Sequence, residues 1–280
     1  MVNWGYRAAR WKGQGMRWWY GRRLAQISQR PQSWGPRFAA SVYALSCGRD
    51  LPEQVASLRS LLQFVGVPDR YVIVSDGSHR LTDIEMLRRI HPCVVVVPLV
   101  DFADRTLPPA VADYAQLNPM GKKLMMILSI PIEGPTIYSD SDIFFFPGGR
   151  SLPELLTANP GQSYYLPDAD PAFDEQILTG MPPAEPINGG LIIFGHPPDW
   201  SAAMARFLAL TTPPTYFTEQ TMMHLTLHRD GAKPLPLDRY VMARDDEFLW
   251  GDRYAGPEIV LRHYVTPVRH KFWGNWRYLG

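Results

Sequence analysis

Apolar positions after residue 36 follow two alternating spacings, which predict strands and helices in turn. Short segments rich in apolar residues, typical of buried strands, span 38–45, 71–74, 93–97 and 136–139. Apolar residues at helical spacing lie between them, at 52–65, 81–90 and 111–130, the last interrupted near 118–119. This order predicts an α/β fold with a mostly parallel central sheet flanked by helices, because crossover helices join parallel neighbours.

The second half of the chain has shorter predicted elements, separated by proline-rich loops. Strands are predicted at 143–146, 164–166 and 191–194, and helices at 201–210 and 221–227. There is no internal repeat, and no linker divides residues 36–280. We therefore expect these residues to form a single domain.

Residues 1–35 form a basic, tryptophan-rich arm ahead of this domain. The first 37 residues carry eight Lys or Arg, five Trp and no Asp or Glu, whereas residues 38–280 carry 20 basic and 27 acidic residues. Indole rings mixed with cations are typical of segments that lie on an anionic membrane surface. The arm could instead pack its aromatic rings on the acidic remainder of the chain, and the sequence leaves both interpretations open.

Composition excludes several classes of protein. The 280 residues are 46% hydrophobic and 20% charged, which is typical of a globular protein and not of a disordered one. A formal net charge of +1 argues against a dedicated nucleic-acid-binding protein. No apolar run approaches the ~20 residues of a spanning helix, and no secretory signal is recognisable. Cys47 and Cys93 are too few for a disulfide framework, so we expect a reducing, cytoplasmic location, peripheral to a membrane if the arm binds one.

Two carboxylates follow the fourth predicted strand. Asp140 and Asp142 are two residues apart between apolar runs, and in extended backbone such residues project to the same face. A divalent cation would compensate their charge, and Mg²⁺ or Mn²⁺ bridging to phosphates is the usual case. Ligands also collect outside the carboxyl ends of strands in open α/β sheets. A solvated turn is the alternative interpretation of the same residues.

Two enzyme groups carry a similar acidic pair. The segment resembles the nucleophile motif of haloacid-dehalogenase-type phosphatases, but that family has Thr or Val where this chain has Phe144, and it places the motif on its first strand. Asp140-Ser141-Asp142 is more similar to the DxD motif of nucleotide-sugar glycosyltransferases of the GT-A fold, which also follows a nucleotide-binding βαβ half.

Two further segments resemble glycogenin-like and lipopolysaccharide galactosyltransferase-like members of that group. Asn188-Gly189-Gly190 precedes a predicted strand, like the Asn and small residues that line the donor sugar pocket there. Glycine lets backbone approach a ligand closely, and the Asn amide offers a donor and an acceptor to sugar hydroxyls. Glu219-Gln220 is similar to an acidic–Gln pair found where donor sugar meets acceptor. A tight turn and a helix N-terminus are the alternative interpretations.

The C-terminal region resembles the His-aromatic and Lys-Pro-Trp segments of the same families. The resemblance implies that His263 completes the metal site and that Lys271 binds the diphosphate. This chain lacks the expected Gly after the His-aromatic pair, has a longer spacing and has Phe272 in place of Pro. Arg269 or His270 could therefore take the phosphate role, and a purely structural His263 is the alternative.

The resemblance implies a GT-A fold with a nucleotide-binding half at 36–147 and an acceptor-side half at 148–280. It implies a metal-dependent glycosyltransferase with Mn²⁺ or Mg²⁺ as cofactor. The donor would be a nucleotide diphosphate sugar, with UDP favoured by family analogy. A hexosyl group and retention of configuration are favoured, and the acceptor would be a glycan, a lipid-linked or another hydroxyl group.

Each site residue receives its role from the same resemblance. Asp140, Asp142 and His263 would bind the metal, and Asp142 and Glu219 would be catalytic residues. Residues proposed to contact the donor are Ser46, Asp76, Lys123, Asp140, Asn188, Gly189, Gly190 and Lys271. Lys122 is a further candidate for a phosphate or sugar contact, although lysines on a helix face are usually only solvated.

Two other functions stay open from the sequence. A sugar nucleotidyltransferase on a related fold would carry a Gly-rich phosphate loop after the first strand, and residues 46–50 are too poor in Gly for one. A catalytically inactive nucleotide- or sugar-binding adaptor is the other, and the intact acidic pair argues against it.

Overall fold

Two β-sheets form the framework of the protein, whose computed structural model describes residues 3–169, 172–180 and 184–279. The strands formed by these residues are β1 (Arg37–Ser46), β2 (Val67–Ser75), β3 (Val94–Pro98), β4 (Thr136–Ser139), β5 (Ile143–Phe145), β6 (Tyr164–Pro167), β7 (Ile187–Phe194), β8 (Lys233–Pro234), β9 (Tyr240–Val241) and β10 (Leu261–His263). Seven of them make the central sheet, in the order β3-β2-β1-β4-β7-β6-β8. The other three make a small sheet in the order β5-β10-β9.

The central sheet is mostly parallel, as the alternation of strands and helices predicts. β1 pairs in parallel with β2 and with β4, and β2 pairs in parallel with β3. The register sets Ser46 opposite Ser75, so β1 and β2 end at the same edge of the sheet. β7 is antiparallel to both of its neighbours, β4 and β6. Its N-terminal end therefore lies at the edge where β4 ends.

β7 begins earlier than the sequence predicts. The apolar run predicted a strand from residue 191, but pairing with β6 extends back to Ile187 and places Asn188, Gly189 and Gly190 inside the strand. All three are buried. The alternative interpretation, a tight turn before the strand, is therefore wrong, and the glycines allow the close approach of neighbouring side chains.

The small sheet brings the C-terminal region to the end of β4. β10 runs antiparallel to β5 with His263 opposite Ile143, and the Tyr264 N–H donates to the Asp142 carbonyl oxygen at 3.0 Å. Only three residues separate β4 from β5. The pairing therefore fixes residue 263 beside the β4–β5 connection.

Helices surround the two sheets. The α-helices formed by the described residues are α1 (Trp4–Arg22), α2 (Leu24–Gln29), α3 (Leu51–Phe64), α4 (Leu81–Arg88), α5 (Leu99–Phe102), α6 (Pro109–Leu117), α7 (Pro119–Leu128), α8 (Leu152–Ala158), α9 (Glu175–Leu178), α10 (Ser201–Leu208) and α11 (Thr218–Arg229). The interruption predicted near residues 118–119 is the junction of α6 and α7. Asn118 caps α7 there by accepting a hydrogen bond from the Met120 N–H at 2.9 Å.

The basic arm folds into α1 and α2, and α1 packs along a 3-10 helical stretch at Val268–Leu279, the C-terminal segment. A Cβ atom on Gly13 would lie 2.4 Å from the His270 carbonyl oxygen, so the two backbones touch. Tyr20 is buried with its ring 5.1 Å from that of Trp273. The arm thus packs on the domain through small residues and tyrosines. None of the helices in the described ranges combines the length and the apolar character needed to cross a bilayer.

A buried ion-pair network holds β10 in place. Arg262 is fully buried and donates two hydrogen bonds to Asp246, at 2.7 and 2.9 Å, with a further bond to Asp252. Lys271 adds a second buried cation 3.4 Å from Asp246. Successive residues of a strand face opposite ways, so this network on residue 262 orients residue 263 toward the other side.

We predict that Asp246→Ala lowers the free energy of unfolding by about 3–5 kcal/mol, because it leaves two buried cations short of a partner. Asp245→Ala is the matched control, since Asp245 and its partner Arg253 are both exposed and such a pair contributes about 1 kcal/mol at most. Urea denaturation of the three proteins measures the difference. Equal losses in the two variants would contradict the prediction.

Candidate functional site

Three side chains from distant parts of the chain meet at the end of β4. Asp140 and Asp142 belong to the short β4–β5 connection, and His263 ends β10. One ligand atom from each lies within 4.8 Å of the others. The Asp140 N–H also donates to the Gly190 carbonyl oxygen at 2.8 Å, which ties the connection to β7.

Neighbouring side chains hold Asp142 in its ionised form. Burial acts to raise its pKa, but His263, Arg269 and Lys123 outweigh it and lower the pKa to about 2. The Oδ1 atom of Asp142 lies 3.1 Å from His263 Nε2, and its Oδ2 atom lies 3.7 Å from an Arg269 nitrogen. The carboxylate is therefore charged at neutral pH and available as a ligand.

Asp140 is held by two different side chains. Lys123 donates to its Oδ2 atom at 3.0 Å, and the Tyr138 hydroxyl donates to its Oδ1 atom at 2.5 Å. Burial acts to lower the pKa of Lys123, yet the carboxylates of Asp140 and Glu219 raise it overall. The lysine therefore carries a positive charge directly beside the acidic pair.

Asn188 selects the tautomer of His263. Its Oδ1 atom accepts from the Gly190 N–H at 2.8 Å, which identifies this atom as the oxygen. The same oxygen lies 2.9 Å from His263 Nδ1, so in the neutral ring Nδ1 carries the proton. The lone pair of Nε2 then faces the two carboxylates. This is the arrangement that a metal-binding histidine requires.

The three side chains fit a divalent ion of the Mg²⁺ or Mn²⁺ type. Two carboxylates supply hard oxygen ligands, and an imidazole nitrogen is well accepted by Mn²⁺. Three protein ligands leave coordination positions for other oxygen atoms, such as those of a diphosphate.

Two glycines of β7 make room for the site. A Cβ atom on Gly190 would lie 2.1 Å from His263 Cε1, so any larger residue would displace the ring. A Cβ atom on Gly189 would lie 2.5 Å from Met223 Cε and close to the charged ends of Glu219 and Lys123. The sequence suggested that these glycines admit a ligand. In the structure Gly190 admits the histidine.

A cleft with two lobes opens over the acidic pair. The strand-end lobe, about 510 Å³, is lined by residues at and just after the C-terminal ends of β1 and β2, including Ser46, Asp50 and Asp76. The β7 lobe, about 470 Å³, is lined by residues of β7 and α11, including Asn188 and Glu219. Both lobes are lined by Met120, Lys123, Asp140, Asp142, Tyr216 and Arg269. The acidic pair thus lies where the lobes meet.

The structure brings nearly all of the predicted site residues to this cleft. Ser46 and Asp76 line the strand-end lobe, where Lys122 lies 3.3 Å from Asp76. Gly189 and Gly190 line the β7 lobe with Asn188, Glu219 and His263.

Lys271 is the exception. It lines neither lobe, and its ammonium donates to the Leu249 and Gly251 carbonyl oxygens beside Asp246. Arg269, which the sequence offered as an alternative, lines both lobes and lies 3.3 Å from Asp50. His270 faces α1 instead, since its ring packs on Tyr6. The cation nearest the acidic pair in the C-terminal segment is therefore two residues earlier than the resemblance implies.

One acidic residue of the β7 lobe was missed by the sequence analysis. Asp168 Oδ2 accepts from Asn188 Nδ2 at 3.3 Å and from Gln220 Nε2 at 3.1 Å. Asp168 directly follows the short strand β6, as Asp140 follows β4. An acid immediately after a strand was thus the signal available for it. Together these side chains form a polar wall opposite the acidic pair.

Glu219 is a buried carboxyl with an unsatisfied oxygen. Its Oε1 atom has no hydrogen-bond partner among the described residues, and the nearest cation, Lys123 Nζ, is 3.8 Å away. Burial raises the pKa of Glu219 to about 7, although the charge of Lys123 opposes the shift. A carboxyl of this kind can both give and take a proton near neutral pH.

We predict that ionisation of Glu219 makes the metal-free protein less stable at pH 8 than at pH 5. The pKa of this carboxyl is higher in the folded protein than in the unfolded chain. The free energy of unfolding therefore falls by on the order of 3 kcal/mol as the pH rises from about 4.5 through 7. Glu219→Gln should remove that part of the loss. Denaturant titrations at the two pH values measure it, with the exposed Glu154→Gln as control. If Glu219→Gln and Glu154→Gln lose stability in parallel, the assignment fails.

Sequence comparisons give no relative of this chain: no protein-family model and no curated protein matches it. Solved structures do match. The bifunctional glycosyltransferase WbbM is similar over 86% of this chain, with a TM-score of 0.54 and 15% identity, and the chain spans about half of it, 49%. The galactosyltransferase LgtC, solved with donor and acceptor sugar analogues, matches with a TM-score of 0.52 and 12% identity. The match covers 86% of this chain and 94% of LgtC. Mouse xyloside xylosyltransferase 1 matches with a TM-score of 0.53 and 14% identity, over 83% of this chain and 99% of the mouse chain.

These likenesses agree with the architecture. A mostly parallel sheet carries an acidic pair at the end of its fourth strand, and one antiparallel strand supplies the opposite wall of the cleft. The chain has the GT-A fold, the fold of nucleotide-sugar glycosyltransferases.

Proposed function

We propose that this protein is a metal-dependent glycosyltransferase that moves a sugar from a nucleotide diphosphate donor to a hydroxyl group of an acceptor. The observation that carries the proposal is the convergence of Asp140, Asp142 and His263 where the two lobes of the cleft meet. The GT-A fold supports the reaction class. The resemblance of the motifs favours UDP as the nucleotide, a hexosyl group and retention of configuration.

Asp140, Asp142 and His263 would hold Mn²⁺ or Mg²⁺ at this junction. Such an ion neutralises the charge that builds on the departing diphosphate. Arg269 and Lys123 lie against the same carboxylates and add fixed positive charge on either side. Lys123, which donates to Asp140, would be placed to contact the diphosphate beside the ion.

The two lobes would divide the donor between them. Ser46 and Asp76 at the ends of β1 and β2 would receive the nucleoside in the strand-end lobe. The sugar would lie in the β7 lobe, where Asn188, Asp168 and Gln220 present amides and a carboxylate to its hydroxyls. The diphosphate would then pass over the acidic pair between them.

Glu219 lines the β7 lobe and would act on the acceptor side. Because its pKa is about 7, it can accept the proton that the attacking hydroxyl loses. It can equally position the sugar or the acceptor through its free Oε1 atom. A glycan, a lipid-linked saccharide or another hydroxyl compound would serve as acceptor.

The metal assignment predicts that Asp140→Asn and Asp142→Asn each lower transfer and donor hydrolysis about 100-fold or more, because each removes a charged ligand. Chelation of the wild-type protein should do the same, and added Mn²⁺ should restore it. Hydrolysis of UDP-sugars in Mn²⁺ buffer is the assay. Asp69→Asn is the control, because Asp69 is an exposed acid near the start of β2, at the end of the strand away from the site.

His263→Ala sharpens this test. It should weaken UDP binding with Mn²⁺ present and leave metal-free binding unchanged. Full hydrolysis by wild-type protein in chelator, or an equal effect of His263→Ala with and without Mn²⁺, would exclude a metal at this site.

The lobe assignment predicts different effects on nucleotide and donor. Asp76→Ala should weaken UDP and UDP-sugar equally, whereas Asp168→Ala should weaken the UDP-sugar alone, by about tenfold or more for a lost bond to a charged group. Calorimetric titration with UDP and with each UDP-sugar in Mn²⁺ measures both. Asp101→Ala, an exposed acid outside the cleft, is the control. An Asp168→Ala variant that weakens UDP as much as UDP-sugar would overturn the assignment.

A further inference from the structure

The outer face of α1 carries a stripe of exposed indole rings. Trp4, Trp11 and Trp18 follow one another at a spacing of seven residues, which is two turns of helix, so they lie on one face. Their exposed fractions are 68%, 68% and 63%. Large apolar side chains so exposed in a row are unusual on a soluble surface and mark interaction sites.

Arginines lie against the rings of this tryptophan stripe. The guanidinium of Arg7 is 5.5 Å from the Trp4 ring centre, and that of Arg22 is 5.0 Å from the Trp18 ring centre. α1 contains no Asp or Glu. The surface therefore presents apolar rings and positive charge together.

The tryptophan stripe faces away from the rest of the described chain. The opposite face of α1 is already buried through Ala9, Gly13 and Tyr20, and Arg17 on that side donates to Glu53 at 2.5 Å. These contacts fix the rotation of the helix. The tryptophans are therefore held outward by the fold.

A second exposed apolar segment packs on the side of α1 away from the stripe. Phe248, Leu249 and Trp250 are all exposed, although they belong to a different part of the chain. Lys12 of α1 lies 4.8 Å from the Trp250 ring centre, and Tyr6 of α1 lies 5.6 Å from that of Phe248. Lys12 lies about a quarter turn, and Tyr6 more than a third of a turn, around the helix from the stripe, so this segment packs on the side and the inner face of α1.

We propose that the tryptophan stripe of α1 docks the protein on an anionic lipid bilayer. Indole rings partition to the level of the lipid headgroups, and guanidinium groups bind their phosphates. Charge complementarity favours this occupant over a second copy of the chain, because two such cationic faces repel each other. The rings lie along one line of a straight helix, as contact with a flat surface requires.

The inner face of α1, opposite the tryptophan stripe, lies near the donor cleft. A third cavity, about 280 Å³, lies between α1 and the C-terminal segment and is lined by Arg10 and Arg17 on one side. On the other side it is lined by Thr266 and Arg269, which also line the β7 lobe. The stripe and the cleft thus lie on opposite sides of α1, so a hydroxyl acceptor carried by a lipid would have to reach past the helix, about 10–12 Å wide, to the site. This last step rests on the proposed function, whereas the docking itself does not.

Co-sedimentation with vesicles tests the docking without any donor. Wild-type protein should bind vesicles of phosphatidylserine and phosphatidylcholine at 0.1 M salt, and much less at 1 M, where the Debye length falls from ~10 to ~3 Å. Combining Trp4→Ala, Trp11→Ala and Trp18→Ala should weaken binding at least about tenfold. The control combines Leu81→Ala, Val100→Ala and Leu117→Ala, three similarly exposed apolar residues elsewhere, and should bind like wild type.

The charge is tested separately. Arg7→Gln with Arg22→Gln should weaken vesicle binding roughly 30-fold, since each cation near an anionic surface contributes about fivefold. Arg70→Gln with Arg105→Gln, both exposed and distant from α1, is the control. All four combinations should keep wild-type hydrolysis of donor in solution, which separates this test from that of the proposed function.

Several outcomes would overturn the proposal. They are wild-type protein that fails to sediment with the anionic vesicles, equal binding to vesicles of phosphatidylcholine alone, and control variants that lose as much as the stripe variants. A dimer that the tryptophan substitutions dissociate, with vesicle binding unchanged, would assign the stripe to contact between copies instead.

Discussion

Two carboxylates lie close together at the end of β4, largely removed from water, and their charge has to be compensated from within the protein. The compensation comes from parts of the chain that are far apart in sequence. Lys123 reaches Asp140 from α7, and His263 and Arg269 reach Asp142 from the C-terminal region. Isolated charges in such a setting would be costly, so each of these elements must be in place for the others to be stable. When these elements are in place, the space left between them is the cleft.

β10 shows how the fold meets this demand. Its two adjacent charged residues face opposite ways, and Arg262 is locked by a buried network while His263 is left to face the acidic pair. Asn188 then fixes the ring from the other side. The histidine is thus oriented by contacts on three elements before any ligand binds, which lowers the cost of assembling a metal site.

Much of this arrangement could be predicted from the sequence, for physical reasons that differ between elements. β4 was predicted with its observed bounds because Ile137 and Tyr138 form its centre and it follows the third helix in the alternating order of strands and helices. β7 was predicted too short because Asn and Gly favour turns locally, and only the tertiary contact with His263 explains them in a strand. The helix α1 could not be predicted from the spacing of apolar residues, because its buried residues are Ala, Gly and Tyr. Arg269 faces the site and Lys271 does not because the segment winds as a helix, and a spacing borrowed from a family cannot resolve that.

Gly190 and His263 also constrain how such a sequence can change over time. A side chain at position 190 and a ring at position 263 would occupy the same space, so the two positions are not free to vary independently. Any substitution of the glycine has to wait until the histidine has been lost or moved. The order of the two changes is therefore fixed. A lineage that loses the metal site can later place a larger residue at position 190. It cannot then regain the histidine without first restoring the glycine. A chain of this fold that carries a larger residue at this place in β7 has therefore already left metal-dependent chemistry of this geometry behind.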